Sequence, residues 1–296
     1  MYVVVGNFTV DHVDGAKRPG GPGYYSSIAL ALLGAKVYVL GYAGQDYPRD
    51  VLEEIRKLGV DLSLVSMDSP TTIFVLEYLD LQTRVLKLLS RSPKIKIEEG
   101  YRVLGNVEVS IVSPVAGEIS LEDLGYIRKK TRILVVDVQG FIRVIESDGQ
   151  VYHKWNHGLL DELGIVDIIH VEEGEANSIS KEPIEAAIKL SEYTNIVALT
   201  MGPRGSIIAY DGVAYHIGVP KIYHGDETGA GDVYTAVLSY YYSKGYKPEE
   251  AARYATIAAG LKVLRSTKTM HWYTREEVEL LAEEVPVKEV KPVFRD

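Results

Sequence analysis

Cysteine is absent from the 296 residues, so disulfides, thiolate nucleophiles and Cys-ligated metal sites are excluded. No stretch of about 18 consecutive apolar residues occurs, and the opening Met1-Tyr2-Val3-Val4-Val5-Gly6 has neither the basic flank nor the long apolar core of an export signal. A cytoplasmic protein that does not enter a membrane is expected. Excess positive charge is missing too: 41 acidic residues outnumber 32 basic ones, and the net charge of −9 leaves no broad cationic field for nucleic acid. Amides are scarce, with five Asn and four Gln, and this low-amide, high-charge balance is that of heat-adapted proteins. No His-Glu-x-x-His suggests zinc, and no Gly-x-Gly-x-x-Gly follows the first apolar run, as a dinucleotide-binding oxidoreductase would require.

What is present is apolar and rhythmic. A 46% hydrophobic content allows a large core, and one α/β unit over residues 1–296 is the simplest reading. Short apolar runs alternate with helical patterns, the rhythm of a central, mostly parallel sheet flanked by helices. Tyr2 to Val5 and Lys36 to Leu40 read as strands, with a helix from Tyr24 to Leu33 stopped by Gly34. Gly41 to Asp46 reads as a loop, and Pro48 suits the first turn of a helix ending at Leu58-Gly59. Ile133 to Val138, Ile165 to Val171 and Ile196 to Thr200 read as strands whose ends meet polar or Gly-containing loops, where open α/β sheets place ligands.

Two segments break this rhythm. Thr71 to Leu79 and Thr83 to Leu89, joined around Asp80-Leu81-Gln82, read as paired strands that extend from the main sheet as a small lid. Asp211-Gly212, between Ser206 to Tyr210 and Val213 to Val219, signals a hairpin of the main body. The basic run Arg128-Lys129-Lys130 is expected on a solvated face, and Tyr240 to Tyr242 in helix packing.

The sharpest feature is Asp226-Glu227-Thr228-Gly229-Ala230-Gly231-Asp232, followed by Val233, Val237, Tyr240 and Tyr241 at helical spacing. A glycine-rich turn into a helix lets backbone N–H groups approach an anion, which the helix dipole also favours. A carboxylate at such a place repels a phosphate, so Asp232 needs a reason to be there. Taking a proton from an attacking hydroxyl is one reason; capping the helix is the other, and local chemistry leaves the two at even odds.

That segment resembles the C-terminal signature of the ribokinase-like family, also called the PfkB carbohydrate kinases, in which Thr usually stands at the place of Glu227. Other landmarks follow the family order over nearly the whole chain. Gly6 with Asp11 resembles the first strand and its substrate-binding aspartate, and Gly20-Gly21-Pro22-Gly23 the glycine pair that faces substrate. Gly41-Tyr42-Ala43-Gly44-Gln45-Asp46 resembles the first family signature, with Asp46 opening a helix in a structural role. Glu172-Glu173-Gly174-Glu175 stands where the family has Asn-x-x-Glu, and Thr200-Met201-Gly202-Pro203-Arg204-Gly205 resembles its nucleotide loop.

The resemblance implies a ribokinase-like fold with a reduced β lid built from about residues 10–20 and 71–92. It also implies an ATP- and Mg²⁺-dependent kinase in which Asp232 is the base and Gly229, Ala230 and Gly231 stabilise the transferred group. Thr200, Gly202, Gly205 and Thr228 would lie at the nucleotide, Glu175 would place Mg²⁺ through water, and Asp226 with Thr228 would ligate a monovalent cation such as K⁺. The loop from Arg265 to Met270 departs from the family pattern. Asp11, Thr9, Gly20, Gly21 and Tyr25 would meet the acceptor; because Thr9 and Tyr25 stand where Asn is common, ribose is not the first choice. Asp137-Val138-Gln139-Gly140-Phe141-Ile142-Arg143 is similar to a segment of the family's inositol kinases, which adds Gln139 and Arg143 and puts myo-inositol first. A nucleoside kinase and a non-catalytic nucleotide- or sugar-binding regulator are the alternatives, as monomer or homodimer.

Overall fold

The computed structural model describes residues 1–13, 15–78, 84–155, 157–221 and 224–291. Strands are numbered β1 to β16 in chain order. Ten of them form the main sheet: β1 (Tyr2–Val5), β4 (Val37–Tyr42), β5 (Asp61–Ser66), β8 (Val107–Val112), β9 (Thr131–Asp137), β12 (Ile168–Glu172), β13 (Ile196–Thr200), β14 (Ser206–Tyr210), β15 (Val213–Ile217) and β16 (Val287–Val290). Their spatial order is β16-β15-β14-β13-β12-β9-β8-β1-β4-β5. From β13 to β5 every pairing is parallel, while β14 to β16 close one edge antiparallel.

Strand alternation divides the core between the two sheet faces. Tyr2 and Val4 point to one face, with Ile28, Leu52, Val233, Val237 and Ala255 from its helices; Val3 and Val5 point to the other, with Tyr101, Leu124 and Leu190. Each fully buried aliphatic side chain contributes about 1.5–3 kcal/mol relative to exposure. Apolar residues on both faces of β1, β8 and β9 therefore hold them as central strands.

A separate four-stranded sheet makes the lid, in the order β3-β2-β6-β7, from β2 (Thr9–Val13), β3 (Ala16–Gly20), β6 (Thr72–Tyr78) and β7 (Arg84–Ser90). Beneath it Phe74 packs with Val115 and Ala116, and β10 (Arg143–Ile145) pairs with β11 (Val151–His153) nearby. The lid's base is pinned by hydroxyls: Thr71 N–H and Oγ1–H both donate to Asp46 Oδ1, at 2.9 and 2.6 Å, and Thr72 Oγ1 donates to Ser92 Oγ at 3.1 Å.

Several elements differ from their sequence reading. β4 continues through Gly41 and Tyr42 because Gly41 packs against the Gly6 backbone, leaving no room there for a side chain. The first helix begins at Pro22, and Pro48 is the N-cap of a helix that starts at Arg49. Asp46 opens no helix; it holds the lid's first residues instead. β12 begins at Ile168, after a 3-10 turn over Leu163–Ile165. Arg128 is only partly solvated, since Nη1 donates to Asp167 at 2.5 Å and Nη2 to the Thr131 and Arg132 carbonyls at the start of β9. Tyr241 does pack between helices, stacked on Tyr254 at 3.9 Å. The turn around Asp80-Leu81-Gln82 lies outside the described residues.

Candidate active site

The carboxyl ends of β1, β8, β9, β12 and β13 open on one side of the sheet, and the lid folds over that side to leave a cleft of about 1030 Å³. Thr9, Asp11, Gly21, Tyr25, Gln139, Arg143, Glu175, Thr200, Gly202, Gly205, Asp226, Thr228, Gly229, Ala230, Gly231 and Asp232 all line it. Among the expected site residues only Gly20 does not. It lies behind Asp11, where a Cβ would come within 2.3 Å of the carboxylate, so its lack of a side chain lets Asp11 take its position.

At one end, the turn before the helix Ala230–Ser243 brings main-chain N–H groups to the cleft. Gly229 is the N-cap in a left-handed conformation, φ 75°, and no side chain caps the helix. Asp232 is therefore the third helical residue, and the capping explanation for it fails. A Cβ on Gly229 would lie 2.1 Å from Tyr25 Cδ2, so glycine is required twice there, by backbone angle and by space. Tyr25, expected at the acceptor, is thus committed to supporting the turn, its ring also 6.0 Å from Trp272.

Below that turn lies a buried chain of polar groups. Asp137 Oδ2 faces His170 Nδ1 at 2.8 Å, and His170 Nε2 lies 3.0 Å from Thr200 Oγ1. Burial disfavours a charged imidazole, but the Asp137 carboxylate, with Glu172 and Glu175, outweighs it and raises His170 to about 9. A Cβ on Gly231 would sit 3.0 Å from His170 Cε1, so the imidazole ring lies directly against the turn. Asp232 is pushed up to about 8, first by burial and then by Asp137, against the opposing pull of His170 and Arg143. Glu175 is raised by burial and by Asp137 and Glu172; its Oε2 accepts the Glu172 N–H at 2.9 Å.

At the other end, Asp11 sits on β2 with Thr9 Oγ1 donating to its Oδ1 at 3.0 Å. Burial raises it to about 6, partly offset by that hydrogen bond and by Arg143. Arg143 Nη1 donates to Val115 O at 3.0 Å, and the guanidinium lies 5.3 Å from the Phe74 ring centroid. Gln139 donates its N–H to Asp137 Oδ1 at 3.0 Å and its amide to Ser113 Oγ at 3.4 Å. Arg18, on β3, reaches across to Asp226 at 3.3 Å and joins lid to turn.

Two residues that the sequence reading does not single out belong here. His170 is the polar member of an apolar central strand, and Lys262 occupies the alanine-lined stripe of the helix Pro248–Arg265, with Ala255 and Ala258. In each case the signal is a polar residue in a register that only core should fill.

This architecture is that of the ribokinase fold. Residues 139–271, a little under half of the chain, match the pfkB family carbohydrate kinase model. The chain is 26% identical over 257 residues to the bifunctional protein HldE of Vibrio atlanticus, covering 83% of this chain and 52% of that protein, so it spans about half that relative's length. To the cytidine kinase of Thermococcus kodakarensis it is 26% identical over 269 residues, 85% of this chain and 91% of that one. A pyrophosphate-dependent myo-inositol-1 kinase, converted to a myo-inositol-3 kinase by two substitutions, superposes with a TM-score of 0.77 at 22% identity, over 96% of this chain and 99% of the other.

Proposed function

We propose that the chain transfers the terminal phosphoryl group of ATP to a hydroxyl of a small polyol, myo-inositol first, with Asp232 as general base. The observation that carries this reading is a carboxyl group three residues beyond a left-handed glycine cap, lining the same cleft as Asp11. In the reaction the acceptor oxygen bonds to the γ-phosphorus as the bond to the departing ADP oxygen breaks. The hydroxyl proton passes to Asp232 and then to solvent. N–H groups of Gly229, Ala230 and Gly231 would meet the charge that develops on the transferred group, and the His170 imidazolium would reinforce them. Asp11 would orient the acceptor by accepting its hydroxyls.

Mg²⁺ fits this site as a water-held ion. Among the described residues no three His, Cys, Asp or Glu side chains are placed to ligate a metal directly, yet Glu172 and Glu175 line the cleft with a surplus of negative charge that a divalent cation would relieve. When bound it would neutralise donor phosphates, with Glu175 positioning its water.

A nucleoside acceptor is the second reading, supported by the cytidine kinase that matches nearly end to end. Pyrophosphate is the donor alternative, since the inositol kinase of this fold uses it. Assays pairing ATP and pyrophosphate with myo-inositol, hexoses, ribose, cytidine and adenosine test all of these; preference for cytidine or adenosine overturns the polyol assignment, and failure of both donors with every acceptor favours a binding regulator. Heat adaptation belongs to the same reading, and unfolding near ~50 °C, in the usual mesophile range, would count against it.

A further inference from the structure

We propose that the Lys262 ammonium is the resident monovalent cation of this site, standing where a potassium ion would have to bind, so that the anion turn forms without added potassium. Lys262 is 0% exposed, on the helix Pro248–Arg265. Lysines are almost never buried so completely unless their charge is met. Here it is met by main-chain oxygens: Nζ donates to Asp226 O at 2.9 Å and, closer still, to Thr228 O, with the Tyr25 ring centroid at 4.7 Å. A cation held by carbonyls and the face of an aromatic ring is in the surroundings an alkali ion would occupy.

Both carboxylate oxygens of Asp226 are also engaged. Asp226 Oδ1 accepts the Thr228 N–H at 3.0 Å, and Oδ2 pairs with Arg18 at 3.3 Å. The set expected to ligate K⁺, Asp226 with Thr228, therefore does not fit a free ion, because the buried Lys262 ammonium holds both main-chain carbonyls and Arg18 pairs with the Asp226 carboxylate. The next residue of the same helix completes the clamp: Asp226 N–H donates to Val263 O at 3.1 Å, and a Cβ on Gly225 would lie 2.0 Å from that carbonyl.

Planarity of the peptide supplies the consequence. In a trans peptide the C=O and N–H point in opposite directions. Fixing the Thr228 carbonyl toward Lys262 therefore turns the Gly229 N–H to the other side of that peptide, at the turn that lines the cleft. Lys262 is a positioning residue: it reaches the donor through the peptide it orients. Its role in phosphoryl transfer rests on the kinase reading, but its occupation of the cation position does not.

Thallous ion, a heavy stand-in for K⁺, tests occupation without turnover. Crystals soaked in thallous acetate are expected to show no anomalous peak between Asp226 O and Thr228 O in the unaltered protein, and to show one in Lys262→Ala. A peak there in the unaltered protein overturns the proposal, whether or not any acceptor is phosphorylated. Titration calorimetry with MgATP, or Mg-pyrophosphate, in potassium or tetramethylammonium chloride of equal ionic strength supplies the second arm. Donor affinity of the unaltered chain should be the same in both salts. In Lys262→Met it should fall by ~10-fold or more, as for loss of charged hydrogen bonds, and in Lys262→Ala potassium should restore part of the loss. A ~10-fold potassium dependence of the unaltered chain, well beyond general salt screening of a pre-formed site, would overturn the idea independently of the soak.

Discussion

The two ends of the cleft are made differently. In the proposed reading, the phosphate end comes largely from one stretch of chain, residues 225–232, whose working groups would be main-chain N–H groups supported by Gly229, Tyr25, His170 and Lys262. The end proposed for the acceptor is assembled from side chains on separate segments: Thr9 and Asp11 on β2, Phe74 on β6, Gln139 in the turn after β9, Arg143 on β10. Main-chain donors do the same task for any phosphate and need only a backbone shape, so one local pattern suffices. Discrimination among alcohols needs side chains converging from afar, and there single replacements can change the preferred acceptor while the fold stands.

The strongest way to break this contrast is at the junction of the two ends. Asp232→Asn should lower kcat by ~10²-fold or more, as for a lost general base, while MgATP affinity in calorimetry stays within a few-fold; near-normal turnover would remove Asp232 from the mechanism. At the phosphate end, Gly229→Ala places a Cβ against the Tyr25 ring at a left-handed position, and donor affinity should drop by ~10-fold or more while acceptor KM holds, given the 1–3 kcal/mol cost of such strain. The mirror experiment is Asp11→Asn. Acceptor KM should rise ~10-fold, as charged hydrogen bonds are lost, with donor KM unchanged. Asp11 carries a raised pKa of about 6, so acceptor affinity should improve as pH rises through about 6, and the variant should lose that dependence.

The smallest effect is on stability. Asp232 lies near 8 in the folded chain and near ~3.9 when unfolded, so its contribution to stability is fully present below the unfolded value and is lost as pH rises through about 8. Asp232→Asn should therefore melt higher than the parent at pH 9, by about 2–4 °C for each kcal/mol of relieved strain in a chain of this size. A lower melting point would show that the carboxylate is held more favourably than its burial implies.

The same contrast explains what the sequence made legible. The anion turn was readable because glycine, glycine and aspartate in one short run carry both geometry and charge. The parallel sheet was readable because strands apolar on both faces have few other ways to be buried. Tyr25 was legible as a cleft residue but not as the support of the turn, because its contact with Gly229 lies across some two hundred residues of chain. Asp46, expected from the resemblance to open a helix, holds Thr71 instead, a partner 25 residues away that the local sequence does not reveal. Lys262 and His170 went unnoticed because each acts through partners remote in sequence: carbonyls for the one, Asp137 and Thr200 for the other.

Arg18 belongs to the lid, and Asp226 to the turn it covers. If β3 lifts, Asp226 loses the guanidinium and turns an uncompensated negative field on any incoming donor. On the proposed kinase reading, an alcohol that drew the strand down would improve the reception of phosphate, and by reciprocity bound phosphate would tighten the grip on the alcohol. A single ion pair would then carry synergy between the two substrates, and high salt should weaken it because Arg18 is 40% exposed.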